Sequence, residues 1–248
     1  MKVTYIGHSG FLVETHIANL LFDYYTGILP KVDESLPFVV FVTHMHHDHY
    51  NPAIFDLTKQ YPNVKYYISD DVVLTEEVKC KYDITDAFVK EHIVMIPAGK
   101  RKIIPLTLAN GEETHIMMET IKSTDQGLAF LLRVDNQRIF HTGDLNCWVW
   151  ETDTVNEVNH MKTRYKRVIE KLNGREIHLA MAPLDPRQGK YYRLSMDYLL
   201  NATPITYVAP MHMWEQYEYI DRYMEERKTK DLPTKILKFT KPLQSVEI

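Results

Sequence analysis

Short apolar runs separated by polar residues and glycine open the chain. Residues 3–6, 10–14 and 19–23 are brief apolar or alternating stretches of this kind, the signature of a strand meander. Phe38-Val39-Val40-Phe41-Val42-Thr43 is a continuous apolar, β-branched run, which predicts a fully buried strand. An amphipathic stretch from Pro52 to Tyr61 predicts a helix, and Val64 to Ser69 another strand. Asp70-Asp71-Val72 reads as the opening of a further helix, because acidic residues suit the positive end of the helix dipole.

A second strand-rich block follows. His115 to Thr120, Ala129 to Val134 and Arg138 to His141 alternate with turns at Asn110-Gly111 and Asp135-Asn136. Thr154 to Leu172 reads as a helix closing near Asn173-Gly174. Ile177 to Ala182 is a short buried strand, Leu194 to Asn201 a helix, and Thr206 to Pro210 a strand running into Met211-His212. Tyr217 to Lys228 is a charged amphipathic helix, and Ile236 to Phe239 a last strand. A β-rich, helix-punctuated half thus occurs twice, with no sequence repeat, low-complexity stretch or linker. The economical reading is one domain over residues 1–248, two sheets in the middle and helices outside.

Composition narrows the functional classes. At 248 residues, with 45% hydrophobic and 25% charged positions, the chain is an ordinary globular protein able to bury a core without disulfides. A formal net charge of −4 leaves no footprint for nucleic acid or an anionic membrane. The local run Gly99-Lys100-Arg101-Lys102 reads as a solvated turn. Cys80 and Cys147 stand far apart without CxxC spacing, which argues against a disulfide framework and a thiolate metal site and fits a reducing compartment. The N-terminus runs straight into a strand without the features of a signal peptide, and no stretch is long enough to span a bilayer. The expectation is a cytoplasmic protein with a small-molecule substrate and no nucleic-acid or membrane partner; oligomeric state is open.

The chemistry concentrates in Thr43-His44-Met45-His46-His47-Asp48-His49-Tyr50. Four imidazoles and a carboxylate in six residues, directly after a buried strand, pack poorly as apolar core. The cost of burying them is relieved if a divalent ion takes their lone pairs. Imidazole and carboxylate together suit zinc first, and also iron or manganese. His44 and His46 can point the same way as the strand frays, and Asp48 and His49 toward a second position close by. His47 should point away from its neighbours.

That order of residues is the HxHxDH motif of the metallo-β-lactamase superfamily, which the chain resembles at His44, His46, Asp48 and His49. Residues 6–14 and Leu21-Phe22-Asp23 look like the opening hairpin of the branch similar to ascorbate-6-phosphate lactonase. Phe140-His141-Thr142-Gly143-Asp144 looks like the segment supplying a bridging aspartate, and Ala209-Pro210-Met211-His212 like the last ligand-bearing strand. The resemblance implies an α+β four-layer αββα sandwich, two mixed sheets packed face to face with helices outside. It implies that His44 and His46 hold a first metal, that Asp48, His49 and His212 hold a second, and that Asp144 bridges them. Asp48 and Asp144 would then act in catalysis. Two ions roughly 3.5–4 Å apart can share a hydroxide as nucleophile. Asp23 would orient an imidazole.

The pattern departs from the superfamily at one place. A third histidine is expected just before the strand that precedes Gly143-Asp144, and residues 119–127 contain none. Asp125 is the candidate to supply an oxygen instead, and His115 is a poorer one inside a strand. Without a replacement the first site has three protein ligands, which favours occupancy by one metal. Trp148, Trp150 and Trp214 are candidates to wall the pocket, Arg187 or Lys190 to bind an anionic substrate group, and His8 to touch substrate or support a ligand. His141 should pack or hydrogen-bond. The function implied is a metal-dependent hydrolase, using a metal-bound hydroxide on a small anionic ester, lactone or phosphoester. The alternatives are a nucleic-acid phosphodiesterase and a non-catalytic metal- or ligand-binding protein on the same fold.

Overall fold

The computed structural model describes residues 1–227 and 231–248. From the N-terminus run β1 (Lys2–Gly7), β2 (Gly10–Glu14), β3 (Asn19–Phe22), β4 (Phe38–Val42), β5 (Lys65–Ser69), α1 (Glu76–Lys81), α2 (Asp86–His92) and β6 (Ile93–Ile96). The second half holds β7 (Arg101–Thr107), β8 (Glu113–Lys122), β9 (Leu128–Val134), β10 (Gln137–His141), α3 (Val155–Ile169), β11 (Ile177–Pro183), α4 (Leu194–Ala202), β12 (Ile205–Met211), α5 (Glu218–Glu226) and β13 (Lys235–Ile236). A final strand, β14 (Ser245–Glu247), returns to the first half and pairs with β1.

The strands form two seven-stranded sheets, in the orders β14-β1-β2-β3-β4-β5-β6 and β13-β12-β11-β10-β9-β8-β7. Both are mixed. In the first, β14 to β3 are antiparallel and β3 to β6 parallel. In the second, β7 to β10 are antiparallel and β10 to β13 parallel.

Three apolar clusters mark three interfaces between four layers. One lies between the sheets, where Phe41 of β4 meets Phe130 of β9 edge-on at 5.1 Å and stacks on Phe22 of β3 at 5.0 Å. A second packs α3, α4 and α5 on the outer face of the second sheet through Tyr165, Leu199 and Tyr223. The third packs a 3-10 helix over Pro52–Lys59, α1 and α2 on the first sheet through Phe55 and Tyr66. Burying each ring of this kind contributes about 2–3 kcal/mol. This is the four-layer sandwich of two mixed sheets that the resemblance implies.

Several elements differ from the sequence expectation, each for a local reason. Asp70-Asp71 opens no helix: α1 begins later, where the Thr75 side chain accepts from the Val78 amide and Glu76 and Glu77 fill the first turn. Arg101 and Lys102 are not in a turn but begin β7, an edge strand whose exposed charges discourage pairing with another chain. The last predicted strand is observed as Lys235–Ile236; the Leu237 amide still bonds to the Val208 carbonyl, and Leu237 and Phe239 go on into the inter-sheet core. The helix expected over 217–228 is described as Glu218–Glu226, and Lys228 lies outside the described residues. α2 and β14 carry too few apolar positions to be visible as patterns, and β6, though apolar throughout, is only four residues long. By contrast, Thr154 starts α3 with a reciprocal capping box to Glu157. Among the described residues no helix is long and apolar enough to cross a membrane.

Candidate metal centre

Parallel strands of both sheets end on the same side of the sandwich, and their carboxyl ends carry the functional side chains. Asp23 follows β3, and His44 to His49 follow β4. Asp144 follows β10, Asp185 follows β11, and His212 follows β12. The crevice beyond the carboxyl ends of parallel strands is where open α/β sheets bind ligands. The tip of the β1–β2 hairpin joins them: the His8 carbonyl accepts the His212 amide at 3.1 Å, tying the first sheet to the second.

Two groups of donors converge there. His8, Asp48, His49 and His212 bring one ligand atom each within 4.8 Å of one another, and so do His44, His46 and Asp144. Asp144 touches both sets, with Oδ1 at 3.1 Å from His49 Nε2 and 3.4 Å from His212 Nε2, and Oδ2 at 3.5 Å from His44 Nε2. Asp48 Oδ2 lies 3.2 Å from His8 Nε2 and 3.6 Å from His212 Nε2. His8 Nε2, His49 Nε2, His212 Nε2 and Asp144 Oδ1 are buried and, beyond these close contacts with one another and with Asp48, have no hydrogen-bond partner among the described residues. Orphaned buried donors and acceptors are costly. A divalent cation between them removes that cost, so the residues present fit a metal with a nitrogen and oxygen donor set.

Buried carboxylates stand behind two of the imidazoles. His49 Nδ1 donates to Asp23 Oδ2 at 2.8 Å, and His212 Nδ1 donates to Asp185 Oδ2 at 2.9 Å. Each pairing fixes the tautomer that leaves Nε2 facing the centre. Asp23 is itself held by the Thr43 amide at 2.8 Å and hydroxyl at 2.6 Å, and Asp185 by the Arg187 guanidinium. His44 Nδ1 has only the Thr43 hydroxyl, at 3.0 Å, and His46 Nδ1 lies 3.0 Å from His44 Nε2. His141 is structural: it stacks on Phe22, donates from Nε2 to the Ser9 carbonyl, and accepts the Gly143 amide at Nδ1.

Electrostatics follow the same division. Burial alone would lower the His49 pKa, but Asp144 and Asp23 outweigh it and hold the imidazole well above its ordinary value. Burial likewise opposes charge on His212, and Asp185 and Asp48 overcome it and raise its pKa. Burial would raise Asp144, and the surrounding histidines, His49 first, depress it strongly instead. Asp48 is also depressed, its close contacts with the His212 and His8 imidazoles outweighing burial. His8 goes the other way: burial lowers it to about 4, against the opposing effect of Asp48.

The backbone is bent to make this arrangement. His8, Asp23 and His212 have φ of 51°, 41° and 64°, a region non-glycine residues seldom occupy. Two glycines are required. A Cβ on Gly143 would meet Thr43 Oγ1 at 2.7 Å, and one on Gly127 would meet the Thr43 carbonyl at 2.1 Å. Only bare backbone lets both loops close over Thr43-His44.

Of the residues singled out in the sequence, His44, His46, Asp48, His49, Asp144 and His212 come together, with Asp23 behind His49. His8, an open candidate, lies inside the four-residue group. Asp125 is not brought to them: its amide is tied to Ser123 Oγ and its side chain is exposed, and it belongs to neither group. His115 is exposed in β8 opposite Pro105 of β7, away from the centre. Trp148 lies 5.5 Å from His212 and donates from Nε1 to the Asp144 carbonyl at 3.0 Å. Arg187 places its Nε and Nη2 on Asp185, behind His212, while its side chain remains 44% exposed. Asp185 itself was missed as a partner of His212; its place after a buried strand, level with the Asp144 segment, was the available signal.

Comparison with known proteins agrees with this geometry. Residues 2–159 match a family model described as a beta-lactamase superfamily domain. A UPF0173 metal-dependent hydrolase of Bacillus velezensis is 30% identical over 171 residues, covering 65% of this chain and 70% of the relative. A second, from Opitutus terrae, is 29% identical over 156 residues, 58% of this chain and 63% of the relative. Among solved structures, the metallo hydrolase Igni18 of Ignicoccus hospitalis superposes with a TM-score of 0.60 at 15% identity, covering 99% and 97% of the two chains. CmlA, a diiron beta-hydroxylase from Streptomyces venezuelae, gives 0.63 at 10% identity over 100% of this chain and 54% of that one. At such identities the structural likeness speaks for the fold alone.

Proposed function

We propose that this chain, which belongs to the beta-lactamase superfamily, is a metal-dependent hydrolase of a small-molecule ester, lactone or phosphoester. The observation that carries this reading is the set of orphaned buried atoms on His8, His49, His212 and Asp144, all turned to one point. The names of the relatives from Bacillus velezensis and Opitutus terrae support it.

In this reading Asp48, His49 and His212 hold one ion, with His8 as a fourth donor. His44 and His46 hold the other, and Asp144 stands between the two. A bound divalent ion supplies Lewis acidity and lowers the pKa of water toward neutrality. The chain's own residues do the rest. Asp23 and Asp185 keep Nδ1 of His49 and His212 protonated, so that Nε2 offers its lone pair inward. Asp144 and Asp48 stay ionised. The ring of Trp148 covers one side of His212 and limits water on that flank.

The donor set of imidazole and carboxylate favours zinc, with iron or manganese as the alternatives that elemental analysis separates. The net charge of −4 favours a small molecule over a polynucleotide. The test is metal content measured beside turnover on ester, lactone and phosphodiester panels. Turnover that a chelator abolishes, and that Asp144→Ala removes, is the expected result. Full metal occupancy with no turnover on any class would instead support a non-catalytic binding protein.

A further inference from the structure

The chain has three tryptophans; Trp148 and Trp214, from two separate segments, meet residues of the metal centre, and Trp150 stacks on Trp148. The Trp148 ring meets His212 at 5.5 Å, and Trp150 stacks on Trp148 at 6.0 Å and an interplanar angle of 13°. Trp214, from beyond the other end of the site, meets His8 at 4.6 Å and His212 at 5.7 Å. Arg187 closes the ring, with its guanidinium carbon 4.4 Å from the Trp214 centroid and 6.0 Å from that of Trp150.

Holding these rings here is costly. Trp214 is 38% exposed and has φ of 51°, and Glu215 after it has φ of 62°. Bulky residues avoid that region unless the surroundings enforce it. The Trp148 segment is clamped by the buried Gln188 side chain, which donates to the carbonyls of Cys147 at 2.8 Å and Val149 at 3.2 Å and accepts from Asn146 at 2.8 Å. Neither tryptophan of that segment is fully buried. A cavity of about 540 Å³ opens against both, bordered also by Asp153, Asn156, Glu157, His160 and Met161, and Trp148 is the residue through which it adjoins the metal centre. The cation beside the wall is already neutralised by Asp185. Asp153 and Glu157 on the same cavity are engaged by the Trp150 amide and by Thr154, so what the wall adds for a ligand is ring surface.

We propose that the substrate carries a flat apolar ring, aryl or fused, that packs on Trp148 and Trp150 while its scissile bond lies at the metal centre. This rests on the hydrolase reading for the second clause only. The ring occupies the cavity beside Met161, and offset stacking on indole supplies binding that an alkyl group of the same charge lacks.

Because all three tryptophans report on this one place, intrinsic fluorescence is the direct probe. The metal-loaded full chain is titrated with phenylphosphonate and, separately, with methylphosphonate. Phenylphosphonate should change tryptophan emission and half-saturate at about tenfold lower concentration. Trp150→Ala should erase that preference while metal content, measured on the same sample, stays at the wild-type level. Equal half-saturation for the two phosphonates, no response to the phenyl compound, or an intact preference in Trp150→Ala would each overturn the proposal. Ring preference without hydrolysis of any ester, lactone or phosphoester rejects the hydrolase reading and keeps the ring surface. Hydrolysis without ring preference does the reverse.

Discussion

The two donor groups of the centre lie side by side but are built unequally. Around His49 and His212 there are four candidate ligands, and both imidazoles are backed by fully buried carboxylates, Asp23 and Asp185. Around His44 there are three, His46 is partly exposed, and the only support behind His44 is the Thr43 hydroxyl. Ligand number and rigid outer support both raise metal affinity. On the function proposed above, the difference predicts one tight ion and one exchangeable ion in the same cleft.

The largest effect should come from removing a donor on either side. His49→Ala or His212→Ala should leave little metal after exhaustive dialysis. His46→Ala should lose only the weaker ion. Elemental analysis of the three variants, with circular dichroism to establish folding, separates an unequal centre from an equal one.

Removing the carboxylates behind the imidazoles should come next. Asp185→Asn and Asp23→Asn should each weaken the tight ion by roughly 10–100-fold, because the imidazole loses its fixed orientation and part of its basicity. Competition with a chromophoric chelator measures this. If the same substitutions weakened the other ion more, the division drawn here would be wrong.

Proton competition sharpens the contrast further. Without metal, His49 and His212 have raised pKa values, so the tight group carries protons that an ion must displace. Proton release on metal addition to an unbuffered solution should accompany the tight phase. The stability of the metal-free protein has a matching window. Raised histidines stabilise it below their unfolded pKa, and that contribution is lost as pH rises through the folded value. Depressed Asp144 and Asp48 stabilise it above the unfolded carboxylate pKa, and that is lost as pH falls through the folded value. The melting temperature of the metal-free form should fall at both ends of that window, with the alkaline fall absent from the metal-loaded form.

The smallest effect concerns the weaker group. Thr43→Val removes the hydroxyl behind His44 and one of the donors to Asp23, at a cost of about 1–3 kcal/mol in folding stability. Chemical denaturation should register this, with a modest further loss of the exchangeable ion.

Much of the centre was legible in the sequence because its signals are local. Phe38 to Val42 is continuous apolar sequence and folds as a strand buried along its whole length, and it delivers His44 to His49 in one stroke. Asp144 and His212 were legible through the resemblance of their segments, Phe140 to Asp144 and Ala209 to His212, to the superfamily's ligand-bearing strands. The partners of Asp185 and His8 were not, since a place at a strand end or a hairpin tip does not say which residue far along the chain it will meet. The hairpin tip at His8 meets His212 only when the two sheets face each other. Asp125 was misleading for the opposite reason: it occupies the right place in the sequence, but the turn through Ser123 sends it outward while Gly127 alone approaches His44. Helices with weak periodicity, such as α2, and strands as short as β14 depend on packing partners that sequence patterns do not encode.

Anomalous scattering from crystals of the zinc-loaded protein tests the unequal centre most directly. The account predicts the dominant peak between His8, Asp48, His49 and His212, and a weaker one between His44, His46 and Asp144. Peaks of equal height, or the stronger one beside His44 and His46, would contradict it.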